Sequence, residues 1–180
     1  MQLKSFPRLG VRPTCMEPSE GFQPIARSDA RILVLGSLPG RKSLADVEYY
    51  AHPQNAFWRI MQELFGIAGG YQDRCEGLRN ARLALWDVLR ASVRPGSLDA
   101  DIQRETASAN DFDQFLAAHA NIELIAFNGK KAEQLFRTMV PTEQFEHIRL
   151  LGLPSTSPAY AAMSFNGKLD LWSAGLDLIE

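Results

Sequence analysis

Apolar positions along the chain fall alternately into short continuous runs and helical stripes. "RILVLG" (Arg31 to Gly36) is an almost unbroken apolar run, as a strand buried on both faces requires. A long loop is predicted from there to about Pro53. In "NAFWRIMQELFG", Phe57, Ile60, Met61, Leu64 and Phe65 recur at helical spacing, and Gly66 supplies a stop. "RLALWDVL" (Arg82 to Leu89) predicts a second strand, followed by a polar loop containing "RPGS". "ANDFDQFLAAHA" sets Phe112, Phe115 and Leu116 on one helical face behind an Asn or Asp cap. "IELIAFNG" (Ile122 to Gly129) is a third strand and runs into the helix "KKAEQLFRTMV". "EHIRLLGLPS" is a fourth, ending in the compact loop "LPSTSPAY", and "KLDLWSAGLDLIE" forms a final amphipathic helix.

Strands alternating with helices imply parallel pairing through right-handed crossovers. The predicted fold class is α/β, a three-layer α/β/α domain around a central, mostly parallel four-stranded sheet. Residues 1–29 lack a sustained period and read as an extended N-terminal arm, leaving 30–180 as the single domain. Ligands of such sheets bind beyond the carboxyl ends of the strands. Those ends are "GSLPG", "WDVL", "FNG" and "LPSTSPAY".

Composition changes this picture little. A chain of 180 residues, 46% hydrophobic and 22% charged, can bury the core of one ordinary domain. The net charge of −2 announces neither nucleic acid nor an anionic membrane, although a total does not fix its distribution. No apolar run approaches the roughly 18 residues of a membrane span. The first residues, broken by Pro7, Pro13 and Pro18, lack the apolar core of a signal peptide. Cys15 and Cys75 stand far apart, against a zinc site or a disulfide framework. A cytoplasmic protein with reduced thiols is the expectation.

The stretch "ILVLGSLPGRKS" imitates a phosphate-binding loop, with Gly36, Lys42 and Ser43 in register for G-x-x-x-x-G-K-[ST]. Arg41, however, holds the place of the second glycine, where the backbone must wrap a phosphate. The following "LADVEYYAHPQN" carries paired aromatics and a proline where a P-loop helix would continue. A nucleotide-dependent phosphotransferase, with Asp87 as its magnesium-side carboxylate, is therefore the weaker alternative.

Taken further, "GSLPGRKSLADVEYYAHPQNAFW" resembles the first motif of the uracil-DNA glycosylase superfamily. The run Ala51 to Trp58 is similar to the A-H-P-x-N-x-F-W pattern of its mismatch-specific branch. "LPSTSPAY" looks like the superfamily's H/N-P-S-x-x-S loop after the last strand, so the resemblance spans Arg31 to Tyr160. The hypoxanthine-DNA glycosylase branch is the nearest in look. Leu38 occupies the turn position that usually carries a water-orienting Asp, Asn or Glu, and that branch relies instead on the Asn of its P-x-N-x-F-W run, here Asn55. Leu153 replaces the His that uracil-specific enzymes use on the leaving base.

The resemblance implies a monofunctional glycosylase that needs no cofactor or metal and releases deaminated bases, hypoxanthine foremost and uracil second, from DNA containing deoxyinosine or deoxyuridine. Such an enzyme swings the nucleotide out of the stack, and C1′ takes on oxocarbenium character as the base departs. Tyr50 is the candidate stacking platform, with Tyr49 pointing the other way. Asn55 would hold the attacking water by its amide oxygen, which positions rather than deprotonates. Asn128 and the turn residues Ser37 and Leu38 would meet the base. Arg41 and Lys42, with Pro154, Ser155, Thr156 and Ser157, would meet DNA phosphates. His52 and Asp87 are further candidates.

Each residue also has a structural alternative. Asn55 could cap the following helix, Tyr50 could be an ordinary half-buried aromatic, and Asn128 could serve the turn before Gly129. His52 could make a structural hydrogen bond, and Asp87 could brace its loop. Asp99 and Asp101 read as solvated charges, Phe57 and Trp58 as core, and His119 and His147 as surface. A monomer is expected. A uracil- or mismatch-directed enzyme of the same fold, and a non-catalytic DNA-binding protein, remain as alternatives.

Overall fold

The structure, a computed structural model, describes residues 17–96 and 98–177. Cys15, most of the expected arm, Ser97 of the "RPGS" loop and the last three residues of the expected final helix lie outside the described residues. The predicted strands appear as β2 (Ile32–Gly36), β3 (Leu83–Asp87), β6 (Leu124–Asn128) and β7 (Arg149–Leu153). They form one sheet in the order β3-β2-β6-β7, parallel throughout. The registers Gly36↔Asp87 and Asn128↔Leu153 set the four carboxyl ends along one edge.

The near-continuous apolar runs are explained by layers on both faces. Leu33, Leu35, Ala84, Trp86, Ile125 and Phe127 face one core. That core is covered by α4 (Phe112–Ala118) and α5 (Lys130–Met139). Ile32, Val34, Leu83, Leu85, Leu124 and Ala126 face the other. It is covered by α2 (Phe57–Phe65), α3 (Tyr71–Asn80) and α6 (Phe165–Leu176). Phe57 and Trp172 are fully buried there, each burial contributing about 2–3 kcal/mol.

Several local expectations are corrected. The loop after β2 contains a short helix, α1 (Arg41–Asp46), which ends at Val47. Its apolar content is too small for a periodic signal. The segment expected as one strand over 82–89 breaks after Asp87 and resumes as β4 (Leu89–Ser92) in a second, antiparallel sheet with β1 (Ser19–Glu20) and β5 (Ser108–Ala109). Past Asp87 the Val88 and Leu89 amides still donate to the carbonyls of Gly36 and Ser37 at 2.9 and 3.0 Å before the chain turns to pair with β1 and β5. Helix α3 was not signalled, its sequence being mostly polar with Gly77 inside it. Helix α6 begins at Phe165, where the Ser164 hydroxyl caps Gly167. Ile25 exchanges two backbone hydrogen bonds with Leu85 and is buried, so the chain before β2 covers the outer edge of β3. Among the described residues, no helix is long and apolar enough to cross a membrane.

Candidate active site

The carboxyl edge of the sheet is where the sequence candidates gather. Thr156 is the junction. Its amide donates to Asn128 Oδ1 and its hydroxyl accepts from Asn128 Nδ2, both at 2.8 Å. Its carbonyl accepts from the Ala56 amide at 3.0 Å. Asn128, Thr156 and the Asn55 loop are thereby held in one frame. Gly129, at φ 99°, permits the closest approach, since a Cβ there would stand 2.9 Å from the Ser155 Cβ.

The rest of the final loop is fastened from within and from behind. Ser155 Oγ accepts from the Ser157 amide and Ser157 Oγ from the Ala159 amide, each at 3.2 Å. Trp172 Nε1 donates to the Pro154 carbonyl at 2.9 Å, and Lys168 Nζ to that of Tyr160 at 2.9 Å.

The loop before α2 supplies the aromatic pair. Tyr49 is core: its ring meets Phe22 edge-on, and its carbonyl accepts from Trp58 Nε1 at 2.8 Å. Tyr50, in the left-handed region at φ 54°, turns the other way and lays its ring against Phe57, centroids 4.3 Å apart. Its hydroxyl is buried beside Asn128 and Asp87; the Asn128 side chain is near enough to interact with it, but no partner meets hydrogen-bond geometry among the described residues. Asn55 does take up the cap, its Oδ1 accepting from the Phe57 amide at 3.0 Å. An amide oxygen carries two lone pairs, so one remains. His52 is exposed, with Nδ1 accepting from the Gln54 amide at 3.2 Å. Tyr50, His52 and Asn55 line a cleft of about 270 Å³ with Trp58, Arg59 and Arg74.

Asp87 and the turn after β2 form the inner side. A Cβ on Gly36 would fall 2.3 Å from Asp87 Oδ1 and 3.0 Å from Tyr50 Oη, so only glycine admits both groups. Asp87 is buried, and its Oδ2 has no partner among the described residues. Burial pushes its carboxyl up to about 7, the Asp99 carboxylate adding to the rise and Arg94 partly opposing it. Leu38 is buried in the core. The Ser37 hydroxyl donates to Asp99 Oδ1 at 2.5 Å. Asp99 also stands 3.9 Å from Arg94, so the expectation of a merely solvated charge is corrected. Sequence inspection missed Arg94, which is buried and donates to the carbonyls of Leu38 and Pro39. Its one signal was a basic residue set immediately before "PG" after an apolar run.

The cationic candidates are both on α1. Arg41 is exposed and donates to the Pro95 carbonyl, and Lys42 pairs with Asp46 at 2.9 Å across one turn of α1. The Ser43 hydroxyl is buried and accepts from the Ala51 amide at 3.2 Å. The residue that a P-loop would offer to magnesium is thus spent on holding the aromatic loop.

A layered sheet with an aromatic, two amides and a serine-rich loop converging at its carboxyl edge defines the class. The chain matches the Uracil DNA glycosylase superfamily over residues 23–174 and belongs to it. Two relatives bear the name Hypoxanthine DNA glycosylase. The one from Methanosarcina barkeri is 38% identical over 126 residues, 67% of this chain and 78% of its own. The one from Methanosarcina acetivorans is 34% identical over 160 residues, 86% and 95% of the two chains. A solution NMR structure of a Methanosarcina acetivorans protein put forward as a uracil DNA glycosylase superposes with a TM-score of 0.72. It is 33% identical, with 88% of this chain and 96% of that one covered.

Proposed function

We propose that this chain is a monofunctional DNA glycosylase that hydrolyses the N-glycosidic bond of deoxyinosine in DNA, releasing hypoxanthine. The observation that carries this is the Thr156 junction, which ties the Asn55 loop to Asn128. Superfamily membership and relatives named for hypoxanthine support the same substrate.

In this mechanism the extruded base stacks on Tyr50, a contact worth about 1–3 kcal/mol. Asn128 and Ser37 bound the base, and Leu38, whose side chain is buried in the core, can offer it only backbone. The second lone pair of Asn55 Oδ1 takes a hydrogen bond from the attacking water and aims its oxygen at C1′. The C1′–N9 bond breaks, its electron pair leaves with the base, and the water's oxygen bonds to C1′. Arg41, Lys42 and the Pro154 to Ser157 loop contact phosphates, and His52 borders the entrance. The reaction runs without metal, cofactor or lysine Schiff base, in a cytoplasmic monomer with its catalytic domain at residues 30–180 and an N-terminal arm that packs onto it through β1 and Ile25.

The experiment is single-turnover excision on duplexes bearing one deoxyinosine or one deoxyuridine, with abasic sites revealed by alkali. Hypoxanthine release should fall about 100-fold or more in Asn55→Ala. Release of uracil alone would replace the substrate with that named for the NMR structure. No abasic product from either duplex, with salt-sensitive binding retained, would make the protein a DNA-binding module.

A further inference from the structure

Tyr50 Oη and Asp87 Oδ2, buried polar atoms without a hydrogen-bond partner among the described residues, belong to side chains that converge above Gly36. Native proteins rarely leave such groups unpaired, because each costs about 1–3 kcal/mol. These two adjoin the ring on which the base stacks in the mechanism above. A Cβ on Gly36 would stand 2.3 Å from Asp87 Oδ1 and 3.0 Å from Tyr50 Oη, so the carboxyl adjoins the hydroxyl end of that ring. Water attack through Asn55 does not use that carboxyl.

We propose that Asp87 is the proton donor to the departing purine. This rests on the glycosylase assignment and adds a second catalytic residue to it. The carboxyl O–H transfers its proton to a ring nitrogen of hypoxanthine as the C1′–N9 bond breaks, and the bonding electron pair stays with the base, which leaves neutral. Water adds to C1′ and sheds one proton to solvent, and the Asp87 carboxylate takes one back, so the cycle closes with no other reactant. Hypoxanthine gains from this more than a base expelled as a stabilised anion. The donor also supplies what Leu153 cannot, since no histidine faces the leaving base from that position.

The groups facing Asp87 set its proton affinity. Asp99 and Arg94 approach from the segment after β4, Tyr49 and Tyr50 from the loop before α2, and Asn128, which is neutral, from the end of β6. Burial and the Asp99 charge keep the carboxyl protonated up to about pH 7, and Arg94 limits the rise.

The test is the pH dependence of single-turnover hypoxanthine release by the native protein, Asp87→Asn and Asp99→Asn. The native rate should fall tenfold per pH unit above about 7. Asp87→Asn, which can donate a hydrogen bond but not transfer a proton, should be about 100-fold slower at pH 6 and lack the falling limb. Asp99→Asn, which removes the neighbouring charge that adds to the rise, should move the limb to lower pH. A native rate flat from pH 6 to 9, an Asp87→Asn rate within about threefold of native at pH 6, or an unmoved limb in Asp99→Asn would overturn the proposal while leaving the glycosylase standing. A native protein that makes no abasic product from deoxyinosine would overturn both.

Discussion

The two loops that meet at Thr156 are built on opposite principles. The final loop satisfies its own polar groups: Ser155 and Ser157 bond backbone amides, Thr156 is paired both ways with Asn128, and Trp172 and Lys168 hold its carbonyls from α6. The loop before α2 is the reverse. Val47 and Tyr50 both sit at positive φ, and Tyr50 Oη is buried without a partner next to the similarly placed Asp87 Oδ2. A satisfied loop is rigid before any ligand arrives, so it serves as a reference surface. Unsatisfied groups and left-handed side chains cost stability and are kept where a ligand supplies the missing contact.

Breaking the satisfied side should have the largest effect. Asn128→Ala removes a donor and an acceptor at once and leaves the buried Thr156 amide and hydroxyl unpaired. We expect a loss of about 3 kcal/mol in urea unfolding, with hypoxanthine release abolished. A loss below about 1 kcal/mol would show that water replaces the amide and that the loop is not held by this pair.

The unsatisfied side should respond with the opposite sign. The Asp87 carboxyl has its native value raised from 3.8 to about 7, so the native state holds the proton more tightly than the unfolded chain. Its contribution to stability is full below pH 4 and is lost as pH rises through 7. The shift bounds that loss at about 4 kcal/mol. Asp87→Asn removes it but still buries an amide, so a net gain of about 2 kcal/mol is expected at pH 8 and none at pH 4. Thermal melts at the two pH values decide; an equal change at both would mean that the carboxyl is ionised in the fold.

The legible parts of this molecule were those with a period or a motif. β2 and β6 are continuous apolar runs because both faces of the sheet are covered, and α2 and α5 carry clean stripes. Asn128 stood out by closing a strand and Asn55 by preceding a helix, whereas Tyr50 stood out only through the family motif. Helices α1 and α3 were hidden, the first being only six residues long and the second mostly polar. The Asp99–Arg94 contact was hidden for another reason. It joins groups on one irregular loop whose path is fixed by Leu38, Pro39 and Ser37, contacts that no spacing rule encodes. Asp87 was visible as a strand end, but its missing partner is a property of three dimensions.

Smaller effects follow from the hydroxyl alone. Tyr50→Phe deletes a buried, unpartnered Oη while keeping the ring on Phe57. Stability should rise by about 1 kcal/mol, and the affinity for a deoxyinosine duplex should hold if the ring is the stacking surface. Lower stability in Tyr50→Phe would reveal a hydrogen bond made by that hydroxyl in solution.

The smallest expected change lies at Val47, which caps α1 at φ 56° with its side chain 69% exposed. A β-branched residue in the left-handed region costs about 1–2 kcal/mol relative to a permissive one, and an exposed side chain returns little of that through burial. Asn tolerates the region, and unlike Gly it adds no further backbone entropy to the unfolded chain. Val47→Asn should therefore raise stability by about 0.5–1 kcal/mol in urea titrations without altering excision. Should stability rise while hypoxanthine release slows, the strain at Val47 would be helping to hold Tyr50, three residues on, in its own left-handed conformation. The contrast between the two loops would then extend from hydrogen bonds to backbone strain.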